Sequence, residues 1–232
     1  MRVLLVGIDT QTAAQIEAAL GLEIDDLEFE QRAAARLEAD DVRAFDPDVI
    51  FVDARALEAC PTVRRASDQP MLVLTGNEPI DRGRALRLGA TGFVRQPFLP
   101  ADLLTRVRAA ARLLGEPTGA GGQPAFEAGP LRIDYAARSV TVSGGAVRLS
   151  AVEYGILYHL ARHAGRTLSH RTLLSKVWGR EFADDIECLT VQVEQLRVKL
   201  NDAGAGPPGI TSRQGVGFAL IAEPLSSPAR PA

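Results

Sequence analysis

Apolar and polar positions change rhythm along this chain, and the rhythm predicts its elements. In the first half, short apolar runs alternate with amphipathic stretches. Arg2–Val6 is followed by Thr12–Leu20; Val49–Val52 stands alone; Met71–Leu74 is followed by Ile80–Leu88, and Gly92–Val94 by Ala101–Leu114. Short, continuous apolar runs suit strands buried on both faces, and the helical stretches between them suit a parallel sheet covered on both sides. From Gly115 to Pro124 the chain is rich in Gly and Pro and has no period, so it reads as a flexible linker. Beyond it, short strands at Leu131–Ile133, Ser139–Val142 and Ala146–Arg148 precede three helices and a terminal hairpin. Ser150 with Glu153 forms a capping box that opens the first of these helices, and Ser169 caps the second.

The last helix, from Ile186 to Leu200, carries the clearest pattern. Leu189, Val193, Leu196 and Leu200 recur at spacings of four, three and four, which stacks them on one buried stripe. Thr190, Glu194 and Arg197 share another face, with Glu187 and Gln195 at its margins. A Gly/Pro turn leads to Ile210-Thr-Ser-Arg-Gln-Gly-Val-Gly-Phe218, a hairpin bent at glycine that carries Arg213. A polar helix face beside such a hairpin is the layout of a winged helix, whose helix enters the major groove of DNA while the wing touches phosphates.

Composition narrows the class. The chain has 232 residues, enough for two domains of ordinary size. No apolar run approaches the roughly 20 residues that span a bilayer, and the apolar block after Met1 is too short for a secretory signal, so a soluble cytoplasmic protein is expected. Cys60 and Cys188 match no metal spacing and make no disulfide framework, so neither metal nor cofactor is expected. The net charge of −3 does not itself suggest nucleic acid. Its distribution helps slightly: residues 1–115 hold 14 Arg against 18 acids, and residues 117–232 hold 12 Lys/Arg against 10 acids.

Residues 1–114 resemble a receiver domain. The resemblance rests on strand 1, on Pro47-Asp-Val-Ile-Phe-Val-Asp53, on Val73-Leu-Thr75-Gly76 and on Leu88-Gly-Ala-Thr-Gly-Phe93-Val-Arg-Gln96-Pro97-Phe98, which is similar to the family's L-G-A-D-D-Y-I-T-K-P-F. Ala101-Asp-Leu-Leu-Thr-Arg-Val-Arg resembles the family's last helix. The resemblance implies that Asp53 stands at the phosphoryl acceptor, Thr75 at the hydroxyl that binds the phosphoryl group, and Phe93 at the switch aromatic. The acidic pair that holds Mg²⁺ falls on Gly7 and Ile8, with Asp9 beside them, and the neutralising lysine falls on Gln96. Mg²⁺ needs oxygen ligands, which Gly and Ile side chains do not supply, so standard phosphorylation of Asp53 is expected to be lost. The segment from Asp53 to Thr75 is also shorter than the family's. Asp53 is then expected to cap local backbone donors or to face Asp9, and a bare pair of carboxylates predicts raised pKa values for both. The family dimerises through its fourth and fifth helices and fifth strand; Arg82, Asp102 and Arg106 occupy positions for such a contact, with Arg108 and Arg112 adding charge.

The C-terminal region resembles the effector domain of OmpR/PhoB-type response regulators, whose last helix reads V-D-V-H-I-x-x-L-R-x-K-L and whose wing reads R-G-x-G-Y/F. Transferred by position, Thr190, Glu194, Gln195 and Arg197 are the groove-facing candidates. Arg197 suits phosphate or guanine, Gln195 adenine, Thr190 a thymine methyl or phosphate, and Glu194 a cytosine amine. Glu187 and Glu194 depart from the family's basic or neutral residues. His170, Arg171 and Arg213 are implied contacts to the DNA backbone, with Gln214 where the wing arginine usually stands. The loop after Trp178 can touch RNA polymerase in the family, which makes Arg180, Glu181 and Asp184 partner candidates. Trp178 and Cys188 are expected in the core, and His159 and His163 on a helix surface.

Together these features predict an α/β, doubly wound, flavodoxin-like receiver over residues 1–114, a linker over 115–127, an α+β winged-helix domain over 128–223 and a disordered tail over 224–232. The expected function is a sequence-specific DNA-binding transcription regulator, a homodimer on direct-repeat sites that does not depend on an Asp53 phosphate. One alternative is a conventional response regulator phosphorylated at Asp53 by a histidine kinase. Another is an interaction adaptor without DNA affinity, suggested by Glu187 and Glu194. No nucleophile–base pair or phosphate-cradling motif suggests an enzyme.

Overall fold

The structure is a computed structural model that describes residues 1–76, 82–115 (110–115 by backbone only), 125–179, 182–204 and 209–221. The chain divides into two units, Met1–Gly115 and Glu116–Ala232.

In the first unit β1 (Arg2–Val6), β2 (Glu28–Arg32), β3 (Val49–Asp53), β4 (Met71–Thr75) and β5 (Gly92–Arg95) form one parallel sheet in the order β2-β1-β3-β4-β5. Its helices are α1 (Thr10–Leu20), α2 (Ala39–Phe45), α3 (Cys60–Ala66), α4 (Arg82–Arg87) and α5 (Pro100–Gly115). Strand alternation splits the core in two. Val3, Leu5, Val49 and Phe51 pack with Ile16, Leu20, Leu103 and Val107 of α1 and α5. Leu4, Val6, Ile50 and Val52 pack on the opposite face with Val42, Cys60 and Val63 of α2 and α3. This doubly wound fold agrees with the sequence expectation. Three elements were not foreseen. β2 reads Glu-Phe-Glu-Gln-Arg and pairs only with β1, so its charged residues blunt an exposed sheet edge and hide its apolar signal. α2 and α3 have seven residues each and too few turns to show a period. The helix expected at Ile80–Leu88 is seen as α4, with residues 77–81 outside the described residues.

The second unit opens with an antiparallel sheet of β6 (Ala125–Ala128), β7 (Leu131–Asp134), β8 (Ser139–Val142) and β9 (Gly145–Ala146). β6 corrects the linker expected over 115–127: α5 runs to Gly115 at one end, and Ala125–Glu127 pair with β7 at the other. The strand expected at Ala146–Arg148 is only Gly145–Ala146, extended by a hydrogen bond from the Val147 amide to the Val140 carbonyl (2.9 Å). Helices α6 (Ala151–Arg162), α7 (His170–Val177) and α8 (Ile186–Asp202) follow, with β10 (Leu168–Ser169), β11 (Ile210–Arg213) and β12 (Gly217–Leu220) in a sheet ordered β10-β12-β11. Residues 224–232, expected to be a tail, lie outside the described residues.

The Ser150–Glu153 capping box forms in both directions. The Glu153 carboxylate also does more than cap: at 2% exposure it accepts from the Ser150 amide (2.7 Å) and from Lys199 Nζ (2.6 Å), joining the start of α6 to the end of α8. Trp178 and Cys188 are core residues, as expected.

His159, expected on a helix surface, is half-buried. Its ring packs against Tyr158 (5.1 Å between centroids), and burial, helped by the charges of Lys176, His163 and Arg162, lowers its pKa to about 4. The unfolded histidine takes up a proton near its ordinary pKa of 6.5, while the folded one resists down to about 4. Folding stability therefore falls as pH drops through that window. Trp178, the single tryptophan, reports unfolding of this unit. Between pH 7 and pH 5 the unit is expected to lose about 2 kcal/mol from His159 alone. Denaturant titrations of wild type and His159→Leu should show the loss shrinking by that amount in the variant; an equal loss in both would disprove the assignment.

Candidate nucleic-acid interface and acceptor pocket

Helical geometry decides what α8 offers. Cys188, Leu189, Gln192, Val193, Leu196 and Leu200 are buried, which leaves an outward arc of Glu187, Thr190, Glu194, Val198 and Asn201, flanked by Ile186 and Arg197. Val198, 56% exposed, was not among the sequence candidates, although the spacing 187-190-194-198 places it on this arc. The Thr190 hydroxyl donates back to the Ile186 carbonyl (2.9 Å), so its methyl remains as an apolar contact. Gln195 is half-buried at the margin of the arc.

Arg197, a groove-facing candidate from the sequence, is engaged within its own unit. Its Nε donates to the Ile210 carbonyl (2.9 Å), its Nη2 to Ser212 Oγ (2.7 Å) and its Nη1 to Glu194, and the guanidinium lies 5.7 Å from the Phe218 ring centroid. These groups hold it against β11 and β12.

The wing is the β11–β12 hairpin, turned at Gly215, where φ is +70°. His170 begins α7, but its amide donates to the Val216 carbonyl (3.0 Å) and its ring packs edge-on against Phe218 (5.4 Å). The amide and ring of His170, an expected contact to the DNA backbone, are therefore both engaged within the unit. Arg171 is exposed at the same helix start, loosely paired with Asp184 at 3.9 Å. Arg213 is exposed at the end of β11 and makes no ion pair among the described residues. Arg180 and Glu181 lie outside the described residues.

In the first unit, Asp53 ends β3 and is 5% exposed. Its Oδ1 accepts from the Arg55 amide (2.8 Å) and Nε (2.9 Å), and its Oδ2 from Nη2 (2.9 Å), a two-pronged pair closed within three residues. Burial raises its pKa, but the hydrogen bonds and charge of Arg55 outweigh burial and hold the carboxyl below its ordinary value. Asp9 caps α1, accepting from the Thr12 amide (2.9 Å) and hydroxyl (2.8 Å), and those bonds lower its pKa; its charge raises that of Asp53, but less than Arg55 lowers it. The raised pair of carboxylates expected from the sequence is therefore overturned: an arginine two residues on supplies the missing cation.

The other pocket positions are also occupied. Gly7 has φ +67°, and a Cβ there would stand 2.6 Å from the Ala56 methyl. Ile8 is buried in the α1/α5 core. Gln96 reaches the Thr12 hydroxyl (3.4 Å), and the Thr75 hydroxyl donates to the Val94 carbonyl (3.4 Å). These residues do not fit Mg²⁺, which needs several oxygen ligands in octahedral array. No group of three or more His, Cys, Asp or Glu is placed to hold a metal among the described residues. Phe93 is buried beneath Arg82, whose guanidinium lies 4.4 Å above the ring. That stacking engages Arg82, a residue expected at the dimer contact, within its own unit. Asp102 is exposed in the first turn of α5, and Arg106 is half-buried one turn later.

Comparison with known proteins agrees with this architecture. The family described as "Transcriptional regulatory protein, C terminal" matches residues 144–220. Transcriptional regulatory protein PrrA of Mycobacterium tuberculosis is 33% identical over 224 residues, covering 94% of this chain and 95% of that protein. Sensory transduction protein RegX3 of the same organism is 30% identical over 174 residues, covering 75% and 77%. A solved structure of a RitR mutant superposes with a TM-score of 0.72 at 20% identity, over 96% of this chain and 99% of that one, a likeness of fold. No helix among the described residues is long and apolar enough to cross a membrane.

Proposed function

The chain belongs to the OmpR/PhoB-type response regulators, and on that premise we propose that it binds double-stranded DNA in a sequence-specific manner, as a homodimer on direct-repeat sites, without a phosphoryl group on Asp53. It carries the family's transcriptional regulatory domain at residues 144–220. The observation that carries the proposal is the Asp53–Arg55 pair. Both acceptor oxygens are already engaged by one guanidinium, and the positions that would bind the metal are a closed Gly7 and a buried Ile8. An incoming phosphoryl group would have to displace Arg55 and react without a metal to stabilise its oxygens.

The DNA contacts proposed are Thr190, Glu194 and Gln195 from α8, with Arg171 and Arg213 on phosphates. Asp102 and Arg106 are proposed for the dimer surface, and the loop carrying Arg180, Glu181 and Asp184 for RNA polymerase. Exposed charge pairs contribute only about 0–1 kcal/mol each, so apolar contacts carry most of such a dimer.

Selection of bound sequences from random DNA with unphosphorylated protein, beside Asp53→Ala, tests the reading. Both proteins are expected to recover the same direct repeat with equal affinity. Labelling of Asp53 by an acyl-phosphate donor with Mg²⁺, together with DNA binding only after labelling, would instead make the chain a conventional phosphorylated regulator. Recovery of no sequence under either condition would leave the adaptor reading.

A further inference from the structure

Arg197 is the one cation flanking the outward arc of α8, and its guanidinium is turned onto the wing. The side chain is 21% exposed, and its partners on β11 are two strand residues, the Ile210 carbonyl and the Ser212 hydroxyl. A phosphate contact would require those bonds to be given up, and each is made with good geometry to a group on another element. We propose that Arg197 is a positioning residue: it ties β11 to α8 and holds the Glu194 carboxylate as a hydrogen-bond acceptor for the amino group of a cytosine. This rests on the DNA-binding reading above and names which base the helix reads.

The chemistry of the base edges leads to cytosine. Glu194 sits at the middle of the outward arc, with Thr190 one turn before it and Val198 one turn after. Ion-paired to Arg197, it no longer adds net negative charge to the arc, so phosphate repulsion is reduced. An ionised carboxylate only accepts, and of its roughly four acceptor sites the Arg197 bond takes one. In the major groove guanine presents only acceptors, N7 and O6, and thymine an acceptor and a methyl. Adenine has an amino group, but beside it stands N7, an acceptor that repels the second carboxylate oxygen. Cytosine presents its amino group with no acceptor on the same base beside it.

The full chain is first used to select a site from random DNA. Binding to that site, and to copies with single base-pair changes, is then followed by fluorescence anisotropy across a salt series for wild type, Glu194→Ala, Arg197→Met and Arg197→Lys. In the wild type, one C·G pair is expected whose change to T·A weakens binding about 5- to 150-fold. In Glu194→Ala that ratio should approach one. Arg197→Met should weaken binding at every salt concentration with the slope of log affinity against log salt unchanged, because no phosphate contact is lost. Arg197→Lys should resemble Arg197→Met, since an ammonium keeps the charge but not the fork that spans Ile210, Ser212 and Glu194. Trp178 fluorescence confirms that each variant is folded. A slope reduced by about one in Arg197→Met, with Arg197→Lys like wild type, would make Arg197 a phosphate contact and overturn the proposal. So would uniformly tighter binding of Glu194→Ala to every sequence. If the wild type selects no sequence at all, the DNA-binding reading itself falls, an outcome distinct from a selected site that Glu194 does not read.

Discussion

Gly7→Asp, which restores an acid where the family's metal-binding pair would fall, is expected to destabilise the N-terminal unit by about 3 kcal/mol or more and to create no Mg²⁺ site. Two costs combine. The backbone at Gly7 has φ +67°, a region that costs a residue with a Cβ about 1–2 kcal/mol. The new Cβ would also lie 2.6 Å from the Ala56 methyl, a group with no side-chain torsion through which to move away. Relief must come from the backbone turn after β3, the segment that brings Arg55 onto Asp53. The added carboxylate therefore strains the Asp53–Arg55 pair, and Ile8 still offers no second ligand. Gly7→Ala separates shape from charge: it should account for most of the loss. Amide hydrogen exchange of β1 and β3 in the full chain reads the stability, and calorimetric titration with Mg²⁺ reads the site. A Gly7→Asp protein with wild-type protection and measurable Mg²⁺ binding would show that the pocket is open after all.

The same pocket shows what the sequence can and cannot express. Strands β1, β3, β4 and β5 were legible because each is a short, largely buried apolar run, and α8 because its buried stripe repeats at the helical period. The residue types at Gly7, Ile8 and Gln96 were legible too, as departures from the acids and lysine that the family resemblance implies there. The Arg55 contact was not. It depends on the chain entering a tight 3-10 turn directly after Asp53, and nothing in the residues Ala54-Arg55-Ala56 requires that turn. The partners of Arg197 were hidden for a related reason. On the helix it lies near the polar face, but its partners Ile210 and Ser212 arrive 13 and 15 residues later on a different element. His159 was assigned to the surface by its polarity, although the side chain that packs beside it, Tyr158, is its neighbour in sequence. Local period identifies buried apolar residues well; it says little about where long polar side chains find their partners.

Gly217→Ala is expected to break the wing while leaving the three-helix core folded, and to weaken DNA binding by about 100-fold, the equivalent of about 3 kcal/mol. β12 is the central strand of its sheet, with Gly217 opposite Ser169 of β10 and Arg213 of β11. A Cβ on Gly217 would lie 1.8 Å from the Leu168 carbonyl oxygen and 2.8 Å from Ser169 Cα. Both are backbone atoms, so no rotamer change relieves the overlap, and β10 must separate from β12. Two contacts that set the wing on the helices then fail with it: the His170–Phe218 ring contact and the Arg197–Phe218 stack. Gly215, two residues earlier, provides the contrast. It has φ +70°, but a Cβ there would meet nothing within 4 Å, so Gly215→Ala should cost only about 1 kcal/mol of backbone strain. Hydrogen exchange at β11 and β12, Trp178 fluorescence and DNA anisotropy separate the two cases. Gly217→Ala should lose strand protection and affinity while Trp178 still reports a folded core, whereas Gly215→Ala should keep all three. If both variants kept wild-type affinity, neither the close approach of β10 nor the attachment of the wing to α8 would matter for binding. If both lost it equally, backbone freedom at the turn, and not the space between the strands, would be the property that glycine supplies.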